Sequence, residues 1–142
     1  MPHELGAHLL TGPVFVEGAL PGDVLEVEIQ EVALRDDWGW IGGLPLLGTL
    51  PTSCPTPRSS ARGSTASGWS RSCLGKELPL DPFFGIMAVA RRRPGRRVTS
   101  NAPRAFGGTM DNQELKPGTM LDLPVFAEGA LFSAGDGHAR AG

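Results

Sequence analysis

The sequence predicts an all-β protein with internal duplication, and three observations carry that prediction. Gly (20) and Pro (13) make up nearly a quarter of the 142 residues and Tyr is absent. Such a composition disfavours a helical bundle and favours short strands joined by tight turns. Leu25, Val27 and Ile29 alternate with Glu26, Glu28 and Gln30, the period of two that puts one side of a strand on a core and the other in water. The octapeptide Pro13–Leu20 returns almost unchanged as Pro124–Leu131, each copy followed within a few residues by Gly-Asp. Repetition this specific marks two related supersecondary units.

Element by element, His8-Leu9-Leu10 reads as extended and Thr11-Gly12-Pro13 as a turn. Val14-Phe15-Val16 is a short strand, Gly18 and Pro21-Gly22-Asp23 supply breaks, and a strand runs on through Ile29. Strand character is expected over Val14–Val32, Phe83–Ala90 and Thr119–Leu131, with Leu25, Val27 and Ile29 facing the core. Asp36-Asp37-Trp38-Gly39-Trp40 reads as a polar corner followed by aromatic packing. From 52 to 73 the chain turns rich in Ser, Thr, Arg, Gly and Pro, with Trp69 the one large apolar residue. A segment that buries so little cannot offset its ordering entropy, so 52–73 is expected to be disordered or aberrant. Arg91–Arg97 is a basic cluster without an aromatic platform and reads as a solvated loop. Gly107–Leu115 is expected to be a glycine turn leading into one helical turn, with Asp111 or Asn112 as cap and Lys116-Pro117-Gly118 as its end.

A net charge of −2 gives no electrostatic reason to expect nucleic acid or an anionic membrane as partner. No apolar run approaches the ~20 residues that span a bilayer. Met1-Pro2-His3-Glu4 lacks the basic and apolar regions of a signal peptide. The expectation is a cytoplasmic enzyme or binding domain. Cys54 and Cys73 have no metal-ligand spacing and carry no argument.

Seven blocks, in order, resemble the acetamidase/formamidase family: Leu10–Ala19, Gly22–Val27, Asp37–Trp40, Pro45–Pro51, Leu80–Gly85, Gly107–Leu115 and Leu123–His138. The resemblance implies an all-β, sandwich-like fold with internal duplication. It further implies hydrolysis of short aliphatic amides to carboxylate and ammonia, and a homo-oligomer, a trimer. Family members are about twice this length or more, so residues 1–142 read as a single partial domain, incomplete at both ends. The pattern lapses over 52–73, over Arg91–Arg97 and after His138, where Ala139-Arg140-Ala141-Gly142 replaces an expected Gly-Asp-Gly-Glu. Frame shifts in a GC-rich gene would produce such patches, and the missing glutamate implies an impaired activity.

Hydrolysing an unactivated amide needs a nucleophilic water, stabilisation of an oxyanion and a proton for ammonia. A divalent metal ion, zinc or calcium, held by carboxylate and imidazole supplies the first two. Asp136 and His138, two apart in an extended segment, project to one side of a strand and are candidate ligands. The alternative for this pair is a Gly-Asp turn with a surface histidine. Asp111 is a ligand or a cap, Asn112 an oxyanion donor or a cap, and Glu114 an acid/base candidate. Asp37 is a further candidate ligand, or a turn residue. Competing functions are a noncatalytic β-sandwich module for binding or assembly, and a nonfunctional gene fragment.

Overall fold

The computed structural model describes residues 8–36, 38–43, 58–65, 69–71, 77–91 and 98–140. Among these there is no helix. The strands are β1 (Leu10–Val14), β2 (Val24–Ile29), β3 (Trp38–Gly43), β4 (Arg58–Thr65), β5 (Trp69–Arg71), β6 (Glu77–Pro79), β7 (Phe83–Ala88), β8 (Gly107–Thr109), β9 (Thr119–Pro124) and β10 (Phe132–His138). They fall into two compact units, one comprising Met1–Ala33 with Pro82–Gly142, the other Leu34–Asp81.

The first unit is a sandwich-like pair of antiparallel sheets, β1-β10-β7-β8 and β2-β9. In β2 the period of two appears as burial: Val24, Glu26 and Glu28 are exposed, Leu25 and Val27 half-buried, and Ile29 buried. In β9, Thr119, Leu121 and Leu123 turn inward while Met120, Asp122 and Pro124 are exposed. Both faces of the central strand β7 are covered, with Phe83, Gly85, Ile86 and Met87 buried and Phe84 and Ala88 half-buried, which accounts for its nearly unbroken apolar run. Ile29 of β2, Met87 of β7 and Leu115 form one buried cluster, which is where the two sheets meet. A second cluster of Val89, Leu123, Val125 and Ala130 closes the other part of the core.

The duplication is structural as well as textual. Strand, octapeptide and strand recur as β1 to β2 and as β9 to β10, and the two copies exchange partners: β1 pairs with β10, and β2 with β9. Both octapeptides close a turn with the matching hydrogen bond. Ala19 N–H donates to the Val16 carbonyl in one, and Ala130 N–H to the Ala127 carbonyl in the other. Gly18 and Gly129 occupy matching positions with φ of 81° and 74°, the left-handed region that a residue with a Cβ adopts only at a cost. The copies also touch, through Val16 N–H to the Gly129 carbonyl at 2.9 Å and Gly129 N–H to the Ala19 carbonyl at 2.8 Å.

Four expectations are corrected. Beyond the breaks expected at Gly18 and Pro21-Gly22-Asp23, Phe15–Leu20, Gln30–Val32, Val89–Ala90 and Val125–Leu131 are not strand; in the two octapeptides the glycines of the repeat turn the chain. Thr11-Gly12-Pro13 is not a free turn but an irregularity inside β1, where the register shifts between Thr11 and Val14. β1 is an edge strand, the place where a sheet accepts proline and a bulge. Asn112–Leu115 makes a single hydrogen-bonded turn and no helix. The irregular chain expected over 52–73 does not hold for Arg58–Thr65 and Trp69–Arg71, which are strands; the rest of that segment lies outside the described residues.

The second unit is an antiparallel sheet of order β3-β4-β5-β6. β4 pairs with β3 from Trp38↔Gly63 to Gly43↔Arg58. A ladder of this kind is held by main-chain hydrogen bonds, which a Ser- and Arg-rich strand supplies as well as an apolar one. Trp38 is exposed, contrary to the aromatic packing expected after Asp36. Asp37 lies outside the described residues, as do 92–97 of the basic cluster.

Two stability measurements follow from this packing. Met87→Ala removes a fully buried side chain between the sheets and is expected to cost about 2–5 kcal/mol in urea denaturation. Glu26 and Asp122 are like charges directly opposite across β2 and β9. Asp122→Lys is therefore expected to raise the stability measured by denaturation, by up to about 1 kcal/mol.

Candidate metal centre

The floor of the site is Gly85 in β7. The flanking pairs Gly135↔Ile86 and Gly137↔Phe84 put Asp136 of β10 across from it. Two residues on, His138 faces Phe83, and the two rings stack with centroids 4.9 Å apart at 23°. Phe83 is itself buried, so it fixes the plane of the imidazole. The third arm comes from the segment after β8. Met110 and Asp111 both donate their backbone N–H to the Gly85 carbonyl, at 2.9 and 3.1 Å, and this brings the Asp111 side chain over the same glycine.

Asp111, Asp136 and His138 thus converge, with one donor atom from each within 4.8 Å of the others. His138 Nε2 lies 3.4 Å from Asp136 Oδ2 and 3.5 Å from Asp111 Oδ1. These separations are longer than charge-assisted hydrogen bonds of about 2.7–2.9 Å. They are the spacing of neighbouring donors on one small ion with bonds of about 2.0–2.2 Å.

Gly85 makes the convergence possible. A Cβ at this position would lie 2.7 Å from Asp111 Oδ1, 2.8 Å from Asp136 Oδ2 and 2.8 Å from His138 Nε2. The three donors therefore surround the volume that any other residue would fill with a methylene. Both aspartates sit at positive φ, Asp111 at 47° and Asp136 at 55°. Asp tolerates this region better than most residues, and such backbone strain clusters at functional sites. Side-chain exposure falls from 54% at Asp111 to 25% at Asp136, so the site opens to solvent on the Asp111 side.

Of the candidates named from the sequence, Asp136, His138 and Asp111 are brought together. Asn112 and Glu114 are exposed in the turn that follows, where Asn112 Oδ1 accepts the Glu114 N–H at 3.0 Å. That is the capping use of the asparagine. The Glu114 carboxylate is not among the converging donors. Sequence reasoning missed Gly85, Phe83 and His8, whose Nε2 is 3.8 Å from Asp136 Oδ2. Gly85 had a signal: a lone glycine inside an apolar strand marks a close approach to the backbone.

Comparison with known proteins gives the same frame. A sequence profile of the Acetamidase/Formamidase family matches residues 4–100. The chain is 26% identical to an acetamidase of Mycolicibacterium smegmatis, covering 92% of this chain and 47% of that protein. It is 28% identical to a formamidase of Methylophilus methylotrophus, covering 92% and 45%. The crystal structure of an acetamidase from Bacillus halodurans superposes with a TM-score of 0.84 at 36% identity, over 94% of this chain and 44% of that one. The chain thus spans about half the length of the curated relatives it matches. With more than half of its residues matched by the family profile and its fold shared with a solved acetamidase, it belongs to the acetamidase/formamidase family.

Proposed function

We propose that the chain carries the metal-binding part of a hydrolase that converts short aliphatic amides to carboxylate and ammonia. The observation behind this reading is the volume above Gly85 that Asp111, Asp136 and His138 surround and a single Cβ would fill. Two carboxylates and one imidazole suit zinc better than calcium, which prefers six to eight oxygen ligands. A divalent ion held there supplies Lewis-acid polarisation of an amide carbonyl and a water of lowered pKa.

The residues of the chain have distinct tasks in this reading. Asp136 and His138 hold the ion from β10, with the imidazole steadied by Phe83. Asp111 holds it from the exposed side, where a small amide has access. Asn112 is the proposed oxyanion donor. Its Oδ1 is fixed by the Glu114 N–H, which sets the plane of the amide and leaves Nδ2 as the donor. Glu114, in the same exposed turn, is the proposed source of the proton for the departing ammonia.

The test is ammonia release from formamide and acetamide by the zinc-loaded chain. Release that chelation abolishes, and that Asp136→Ala and His138→Ala each reduce by at least ~100-fold, supports the reading. Release that survives His138→Ala overturns it. Metal binding without release would leave the centre standing and remove the hydrolysis. Gly85→Ala tests the centre separately: the methyl group competes with the ion for one volume, so Zn2+ affinity measured by calorimetry is expected to fall ~100-fold or more. Unchanged affinity would show that the ion does not sit over Gly85.

A further inference from the structure

His8, two residues ahead of β1 (Leu10–Val14), lies beside the candidate metal centre without belonging to the converging trio. Its Nδ1 is 2.9 Å from Ser100 Oγ and its Nε2 is 3.8 Å from Asp136 Oδ2. Ser100 is anchored in turn. Thr109 donates both its hydroxyl and its backbone N–H to the Ser100 carbonyl. A line of contacts therefore runs from Thr109, at the end of β8, through Ser100 and His8 to Asp136.

Three features give this line a purpose. The His8 side chain is only 24% exposed although it precedes the strand and belongs to neither buried apolar cluster. One ring nitrogen is taken by Ser100, which fixes the ring and aims the other at the carboxylate. The oxygen it faces, Asp136 Oδ2, is the one that lies 3.4 Å from His138 Nε2. Groups outside the metal's own ligand set orient its ligating carboxylates.

We propose that His8 is a positioning residue for Asp136: through Nε2 it holds the carboxylate with Oδ2 turned toward the ion, while Ser100 and Thr109 hold His8. This rests on the reading of Asp111, Asp136 and His138 as ligands of a divalent ion. His8 acts through Asp136 and not as a ligand itself, because the group of mutually close donors does not include it. The contact at 3.8 Å is longer than a hydrogen bond, so its effect here is electrostatic guidance of one oxygen.

The experiment is a titration of the full 142-residue chain with Co2+, whose visible absorption reports the number and kind of ligands. His8→Ala is expected to weaken Co2+ binding ~10–100-fold, the usual cost of losing a group that orients a ligand, with the absorption bands unmoved. His8→Gln, which keeps an N–H donor, is expected to recover part of that loss, and Ser100→Ala to weaken binding less than His8→Ala. Asp136→Ala should change the bands themselves. Unaltered Co2+ affinity in His8→Ala overturns the proposal, and so do shifted bands, which would make His8 a ligand. Should His8→Ala fail to fold by circular dichroism, His8→Gln carries the same comparison, and affinity in it no better than in Asp136→Ala overturns the proposal. A wild-type chain that binds no Co2+ overturns the metal reading, and the role of His8 with it.

Discussion

The exchange of strands between the two repeated copies is the constraint on which the first unit depends. β1 has its ladder partner in β10 and β2 in β9, so neither copy completes a sheet by itself. Partners so far apart in sequence impose a loop-closure cost that must be met before their contacts form. Burial of Ile29 against Met87 and Leu115, and of Leu123 against Val89 and Ala130, offsets that cost once the sheets face each other. The same exchange sets β10 between β1 and β7, and the chemistry-bearing side chains lie on and around β10.

What β10 needs from its neighbours is space and orientation. β7 gives space by having no side chain at Gly85, and its carbonyl ties down Asp111 through two N–H donors. Two carboxylates and an imidazole meet over a bare glycine. In the proposed reading a divalent cation takes the volume above that glycine, whereas a methyl group in the same place would displace the donors. The positive φ of Asp111 and Asp136 belongs to this arrangement, since each backbone turns its carboxylate toward the shared volume.

Much of this was legible in the sequence, for physical reasons that also mark where reading stops. The alternation of Leu25, Val27 and Ile29 with glutamates fixes which face of β2 is inward, because burial there is one-sided. Asp136 and His138 were legible because two-residue spacing on a strand is enough to share a face. The break at Gly18 was legible from the glycine itself, whereas the strand expected to continue through Val125–Leu131 was not: there Gly129 sits at positive φ and the chain turns. Asn112 was ambiguous between cap and site residue, and its Oδ1 is used as a cap. His8 could not be found at all: Asp136 is brought to it by the pairing of β1 with β10, and Ser100 is held by its bonds to Thr109 of β8.

The two copies show how a duplicated element divides its labour. In the first, the aspartate after the octapeptide serves the turn: Asp23 Oδ2 accepts the Leu20 N–H at 2.8 Å, and Asp23 N–H donates to the Leu20 carbonyl at 3.0 Å. In the second, Gly135-Asp136 falls two residues later relative to the repeat and lands inside β10. That displacement takes the carboxylate out of reach of its own turn and sets it opposite Gly85. The turns themselves diverge in the same sense. Gly18 has open space where its Cβ would be, while a Cβ on Gly129 would overlap the ring of Phe15 from the first copy. The first octapeptide therefore packs onto the second, and holds in place the turn from which β10 departs.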